Sequence, residues 1–201
     1  MGNILGRSTN SYHVLVTGKG NCGKTSVIAS LCGVTYVESS KGVERTSMVH
    51  ENDRYFFSRT RPNRHKHSHT NTHRITWLDF GENITSASIS THIKNIDAIV
   101  YVVDASSKRS IASSGKMFRS LLALDSLSDV PVLIFANKQD KFDVIATQTL
   151  VEIFDMHKIK NREWTVLPST ASTGKGLQRG FEWLCKKLRI GGGNEDDTDG
   201  S

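Results

Sequence analysis

The segment GKGNCGKT, residues 18–25, has residue types and spacing suited to holding phosphate. It satisfies G-x-x-x-x-G-K-[ST] at every fixed position. Gly18 and Gly23 let the backbone curl so that successive N–H groups, from Lys19, Gly20, Asn21 and Cys22 onward, point inward at anionic oxygens. Lys24 can reach the β- and γ-phosphates of a nucleotide, where it would also act as a catalytic charge, and the Thr25 hydroxyl can ligate Mg²⁺. A helix opening here adds its positive dipole end through Ser26 and beyond. The spacing predicts a phosphate site over residues 18–26. Cys22 reads as a small filler rather than a redox group.

A second motif addresses the base. FANKQD, residues 135–140, carries N-K-x-D in Asn137, Lys138 and Asp140. An aspartate carboxylate accepts two hydrogen bonds from the guanine N1–H and exocyclic amine, a donor pair that adenine lacks, and an unpaired buried polar group is costly. Asn137 can bond the base or tie this loop to the phosphate loop, and the Lys138 stem can cover the ring. STAST, residues 169–173, follows, with Thr170, Ala171 and Ser172 as a second base loop and the Ala171 N–H suited to guanine O6.

These motifs need rigid elements beneath them. YHVLVT (12–17), DAIVYVV (97–103), VPVLIFA (130–136) and WTVLP (164–168) are apolar runs bounded by polar residues, the pattern of strands buried on both faces. KTSVIASL opens a helix at the phosphate loop. MFRSLLALDSL (117–127) has helical spacing in Met117, Leu121, Leu124 and Leu127. LQRGFEWLCKKL aligns Leu177, Phe181, Leu184 and Leu188 as the core face of a closing helix. Alternating strand and helix predict an α/β fold with a mostly parallel sheet covered on both sides.

Taken in order, the phosphate loop, a D-x-x-G region, FANKQD, TAS and G-L-x-x-G-x-x-W-L resemble the ADP-ribosylation factor (Arf) and Arf-like small GTPases, as does the start MGNIL. The resemblance covers residues 1 to about 190, apart from an insert and a tail described below. It implies a P-loop NTPase (small G-protein) fold with a six-stranded, mostly parallel sheet and one Mg²⁺–GTP/GDP site at the strand carboxyl ends. It also implies a monomer that serves membrane traffic through an exchange factor, a GTPase-activating protein and effectors.

Departures from the family pattern are as informative. Ser40 falls at the switch-one threonine, keeping a Mg²⁺-ligating hydroxyl. In WLDFGENIT, Asp79 matches the aspartate that holds Mg²⁺ through water, and Gly81 the first of two glycines. Glu82 replaces the second, whose N–H meets the γ-phosphate. Asn83 replaces the water-positioning glutamine as the remaining catalytic candidate. Slow hydrolysis is expected, and two other readings stay open: a scaffold that binds guanine nucleotide with little or no hydrolysis, and a basic docking module in which nucleotide is only structural.

Composition frames the rest. The 201 residues are 37% hydrophobic and 23% charged, enough for one globular domain, and carry a formal net charge of +6. Residues 1–11 form a short N-terminal segment, 12–190 the GTPase domain and 191–201 an acidic tail with Glu195, Asp196, Asp197 and Asp199, expected to be disordered. Residues 58–74, SRTRPNRHKHSHTNTHR, form a basic, histidine-rich insert expected to be mobile. Its histidines (His65, His67, His69 and His73) read as solvated rather than metal-ligating. Gly2 resembles the family's myristoylated glycine. One acyl chain binds membrane marginally, so the insert would assist it at an anionic surface. Charge without interleaved aromatics ranks nucleic acid below lipid or protein. Three scattered cysteines suit a reducing compartment. The expected location is cytoplasmic and peripheral on intracellular membranes.

Overall fold

The computed structural model describes residues 9–32, 38–40, 43–51, 72–81 and 96–190, with backbone alone at 9–10, 38–40, 43–51 and 72–73. Gly2, Glu82, Asn83, the tail and most of the insert lie outside the described residues. Among the described residues seven strands form one sheet: β1 (Thr9–Thr17), β2 (Glu38–Ser40), β3 (Val43–Glu51), β4 (Thr72–Phe80), β5 (Ala98–Asp104), β6 (Val132–Asn137) and β7 (Trp164–Pro168). Their spatial order is β2-β3-β4-β1-β5-β6-β7. Strands β4, β1, β5, β6 and β7 run parallel, while β2 and β3 pair antiparallel at one edge. The α/β architecture is as expected, and the three-residue β2 raises the strand count from six to seven.

Side chains alternate across the strands and so build two cores. On one face Val14, Val16, Trp77, Val100, Val102 and Phe135 pack under helices α1 (Lys24–Cys32) and α4 (Leu177–Lys187). On the other, Leu15, Leu78, Ile99, Tyr101 and Ile134 pack under α2 (Lys108–Leu122) and α3 (Thr147–Ile153). Leu177, Phe181, Leu184 and Leu188 are all buried, as their spacing predicts. A Cβ added at Gly180 would lie 2.4 Å from Phe135 Cζ, so this glycine lets α4 press onto β6.

The elements differ from expectation at four places. Helix α2 starts at Lys108, not near Met117, and stops before Ala123; Asp125–Leu127 is a separate 3-10 turn. The first half of α2, KRSIASSG, buries Ile111 and otherwise turns small residues inward. Ser114 is buried and accepts the Tyr101 hydroxyl through its carbonyl at 2.9 Å, and Gly115 faces the Phe154 ring. The short α3 was not foreseen, because Leu150 is its only buried residue. Strand β4 begins at Thr72, which takes residues 72–74 of the insert into the sheet. Pairing with both β1 and β3 satisfies their backbone whatever their polarity. Strand β1 likewise begins at Thr9, inside the expected N-terminal segment.

Candidate nucleotide-binding site

Strands β4, β1, β5, β6 and β7 all end on the same side, and β1 lies between β4 and β5, with β2 to β4 on one flank and β5 to β7 on the other. Ligands of open α/β sheets bind at such a switch point. The loop from Thr17 to Lys24 crosses it. A Cβ on Gly18 (φ +146°) would sit 2.1 Å from the Val102 carbonyl oxygen, and one on Gly23 (φ +99°) 2.4 Å from Asn137 Nδ2. Both positions exclude any side chain, which holds the loop against β5 and β6. Lys24 Nζ lies across the loop, donating to the carbonyls of Gly18 at 3.0 Å and Lys19 at 3.1 Å. The Lys19 ammonium turns outward to Ser113 Oγ at 3.1 Å, so Lys19 offers phosphate only its backbone. Cys22 is buried. Burial pushes its thiol pKa up, and the nearby Lys24, through its charge and its backbone N–H, offsets only part of this. A protonated, enclosed thiol is a filler, in keeping with its sequence reading.

The Thr25 hydroxyl donates to Asp79 Oδ2 at 2.8 Å, joining the start of α1 to the end of β4. A hydroxyl and a carboxylate side by side at a phosphate loop are hard oxygen donors, the set that suits Mg²⁺. Thr17, fully buried, donates from Oγ1 to the Gly81 carbonyl at 3.3 Å and so anchors the residue just before Glu82 in the chain. Ser40 is not brought to this pair. It aligns with Val43, and Val43 with Phe80, so its backbone stands two strands out from β4, roughly 10 Å away.

The loops around residues 137–140 and 169–173 are tied to the glycine loop by Asn137, which is buried. Its Nδ2 donates to the Cys22 carbonyl at 2.9 Å, and its Oδ1 accepts the Ala171 N–H at 3.0 Å and the Ser169 hydroxyl at 3.4 Å. Of the two roles open to Asn137, the structure adopts the tie. The Ala171 N–H, expected at guanine O6, is engaged by Asn137 instead. Thr170 is buried, with its N–H bonded to the Lys175 carbonyl, and Ser172 is exposed beside it. Asp140 is exposed.

Lys138 adopts φ +66° and donates from Nζ to Asp104 Oδ2 at 2.6 Å. The other Asp104 oxygen accepts the Ser106 N–H at 3.0 Å and the Ser106 hydroxyl at 2.6 Å. Burial by itself would raise the Asp104 pKa. The combined hydrogen bonds from Lys138 and Ser106 outweigh it and hold the carboxyl below the usual value. Asp104, Ser106 and Thr17 escaped the sequence reading. The available signal was a polar residue closing an apolar strand run, aligned with Asn137 in the β5–β6 register. Among the described residues no group of three or more His, Cys, Asp or Glu side chains could hold a metal. The histidine side chains of the insert lie outside them. No described helix is long and apolar enough to cross a membrane.

A glycine-built phosphate loop, a Thr–Asp pair beside it and an N-K-x-D loop clamped to it, all at one end of a mostly parallel sheet, define a P-loop nucleotide-binding fold of the small G-protein class. The family profile described as "ADP-ribosylation factor family" matches residues 1–188, and the chain belongs to that family. It is 37% identical over 102 residues to ADP-ribosylation factor 3 of Arabidopsis thaliana, a match covering 51% of this chain and 56% of that protein. It is 24% identical over 187 residues to ADP-ribosylation factor-like protein 3 of Chlamydomonas reinhardtii, covering 92% and 95%. With ADP-ribosylation factor-like protein 5A of Homo sapiens it shares 25% over 181 residues, covering 89% and 90%. The chain thus spans about half the length of the plant factor, and most of the length of the other two.

Proposed function

We propose that the protein is a GTP/GDP-binding switch of the Arf-like kind, with slow intrinsic hydrolysis, acting in intracellular membrane traffic. The observation that carries this reading is the Asn137 clamp, which holds a base-reading loop against a phosphate loop with bonds of 2.9 and 3.0 Å. Family membership supports it.

In this reading the N–H groups of residues 18–26 and the Lys24 ammonium receive the β- and γ-phosphates. Lys24 exchanges the carbonyls of Gly18 and Lys19 for phosphate oxygens. Thr25, with Asp79 behind it, would hold Mg²⁺, which when bound supplies a hard cation to neutralise charge on the phosphates. Asp140 accepts the guanine N1–H and amine, and the Lys138 stem covers the ring. Phosphoryl transfer asks the protein mainly for positioning and charge stabilisation. Glu82 and Asn83 stand where a glycine N–H and a glutamine amide are expected, which supports slow turnover. The same substitutions support the second reading, a guanine-nucleotide scaffold with little or no hydrolysis.

Denaturing protein purified from cells and identifying the released nucleotide tests the proposal. GDP supports turnover, GTP supports the scaffold, and neither would sink both. Exchange factor, activating protein and effectors belong to the same proposal, as does a cytoplasmic, peripheral membrane location through acylated Gly2 and the basic insert. Gly2→Ala should release the protein from membranes, and raised salt should weaken what binding remains. An unmodified glycine in the intact mass of cell-derived protein would remove the lipid anchor.

A further inference from the structure

The loop that reads the base is fastened to the turn that follows β5 at two places, by ion pairs of opposite sense. Lys138 reaches down to Asp104, 2.6 Å away, with the two side chains 30% and 17% exposed. Lys108 reaches up to Asp143 at 2.5 Å, with both side chains largely exposed. Between them the Ala105 N–H donates to the Asn137 carbonyl at 3.0 Å, and the Ile145 N–H to the Ala105 carbonyl at 2.9 Å. Residues 138–145, which carry Asp140, are therefore splinted along residues 104–108.

The two pairs differ in weight. The exposed Lys108–Asp143 pair is screened by water and contributes little. The Lys138–Asp104 pair is mostly enclosed, and Asp104 is itself fixed by the Ser106 N–H and hydroxyl. It also holds a non-glycine residue in the left-handed region, where Lys138 would otherwise be strained. Asp104 closes β5 directly opposite Asn137 in the β5–β6 register.

Resting on the guanine-nucleotide reading above, we propose that Asp104 is a positioning residue for base recognition. By anchoring Lys138 it sets the lysine stem against the base and fixes Asp140, two residues on, for the N1–H and amine. Asp104 touches no nucleotide itself. Removing its charge frees Nζ, lets the 138–140 turn relax and lengthens the reach from Asp140 to the base.

The test is release of a fluorescent GDP analogue from wild type, Asp104→Asn, Lys138→Met and the double variant, together with the affinity ratio of GDP to IDP, which lacks the amine. Asp104→Asn should release GDP about tenfold faster, the loss expected for one charge-assisted bond. The GDP over IDP preference should narrow. In the Lys138→Met background the same change should add less than about twofold, since the partner is already gone. Asp104→Glu should recover part of the loss, and Lys108→Ala should release GDP like wild type.

Wild-type release from Asp104→Asn, full additivity in the double variant, or an unaltered GDP/IDP ratio would overturn the proposal. If Asp104→Asn does not fold, Lys138→Met decides: normal release and normal base preference from it refute the role. Wild type that binds no guanine nucleotide defeats the guanine reading itself. Tight wild-type binding with unaffected variants defeats only Asp104.

Discussion

Thr25 Oγ1 and Asp79 Oδ2 lie 2.8 Å apart although 54 residues separate them in the chain. One opens the helix after β1, the other nearly closes β4, and the parallel register sets Val16 beside Asp79. The pair puts a hydroxyl and a carboxylate together beside the glycine loop of residues 18–24. Thr25→Asn should therefore weaken binding of Mg²⁺–GTP more than binding of GTP in EDTA. Equal losses with and without metal, measured by titration, would detach the pair from metal binding.

On the proposed guanine reading, Asp140 is the acceptor that discriminates the base. Asp140→Asn removes the charged acceptor and should cost GTP on the order of 1.5–3 kcal/mol. It should also turn preference toward xanthine nucleotides, because the amide can donate where the carboxylate could only accept. Competition among GTP, ATP and XTP that is unchanged in the variant would refute the guanine reading.

Hydrolysis should be limited by residues 82 and 83. Asn83 carries the glutamine amide on a side chain one methylene shorter, and Glu82 puts a carboxylate-bearing residue at the position where the family pattern has glycine. Restoring Gly at 82 and Gln at 83 together should raise single-turnover hydrolysis about tenfold, equal to ~1.4 kcal/mol of barrier. A wild type already as fast as this double variant would mean that another group positions the water.

Gly180 gives a prediction about stability alone. Gly180→Ala would place a methyl 2.4 Å from Phe135 Cζ, inside a packed core. Lifting α4 off β6 should cost about 1–3 kcal/mol, more than the helix propensity of alanine returns. Denaturant unfolding at a fixed nucleotide concentration measures it, since bound ligand shifts apparent stability. A variant as stable as wild type would show that the helix accommodates the methyl without strain.

Acid should loosen the Asp104 anchor. Hydrogen bonds from Lys138 and Ser106 outweigh burial and leave the folded pKa below the ordinary 3.8. A lowered carboxyl pKa stabilises fully above the unfolded value, and that stabilisation is lost as pH falls through the folded one. Asp155, lowered by Lys158 and to a smaller extent by Arg119, shares this limb. Melting temperature against pH should be insensitive to Asp104 protonation near neutrality and fall below about pH 4. Asp104→Asn should flatten part of that fall. A parallel acid limb in the variant would show that Asp104 is not among its causes.

The sequence by itself determined the elements whose signal is local. A strand buried on both faces must be apolar throughout, so β5 and β6 stand out in the chain. A loop wrapped around phosphate must place glycine where no Cβ fits, so Gly18 and Gly23 announce it. Helix α4 shows its stripe because it has one buried face. Contacts between distant segments were decided only by the tertiary structure. The start of α2 is polar to the eye, yet it packs because Ser114 meets Tyr101 and Gly115 meets Phe154. Strand β4 takes in Thr72, His73 and Arg74 because β1 and β3 hydrogen-bond its backbone on both sides, a demand blind to side-chain polarity. Asn137 had two possible partners until the fold set Cys22 and Ala171 on either side of its amide. Asp104 was an unremarked strand end until β6 carried Lys138 alongside it.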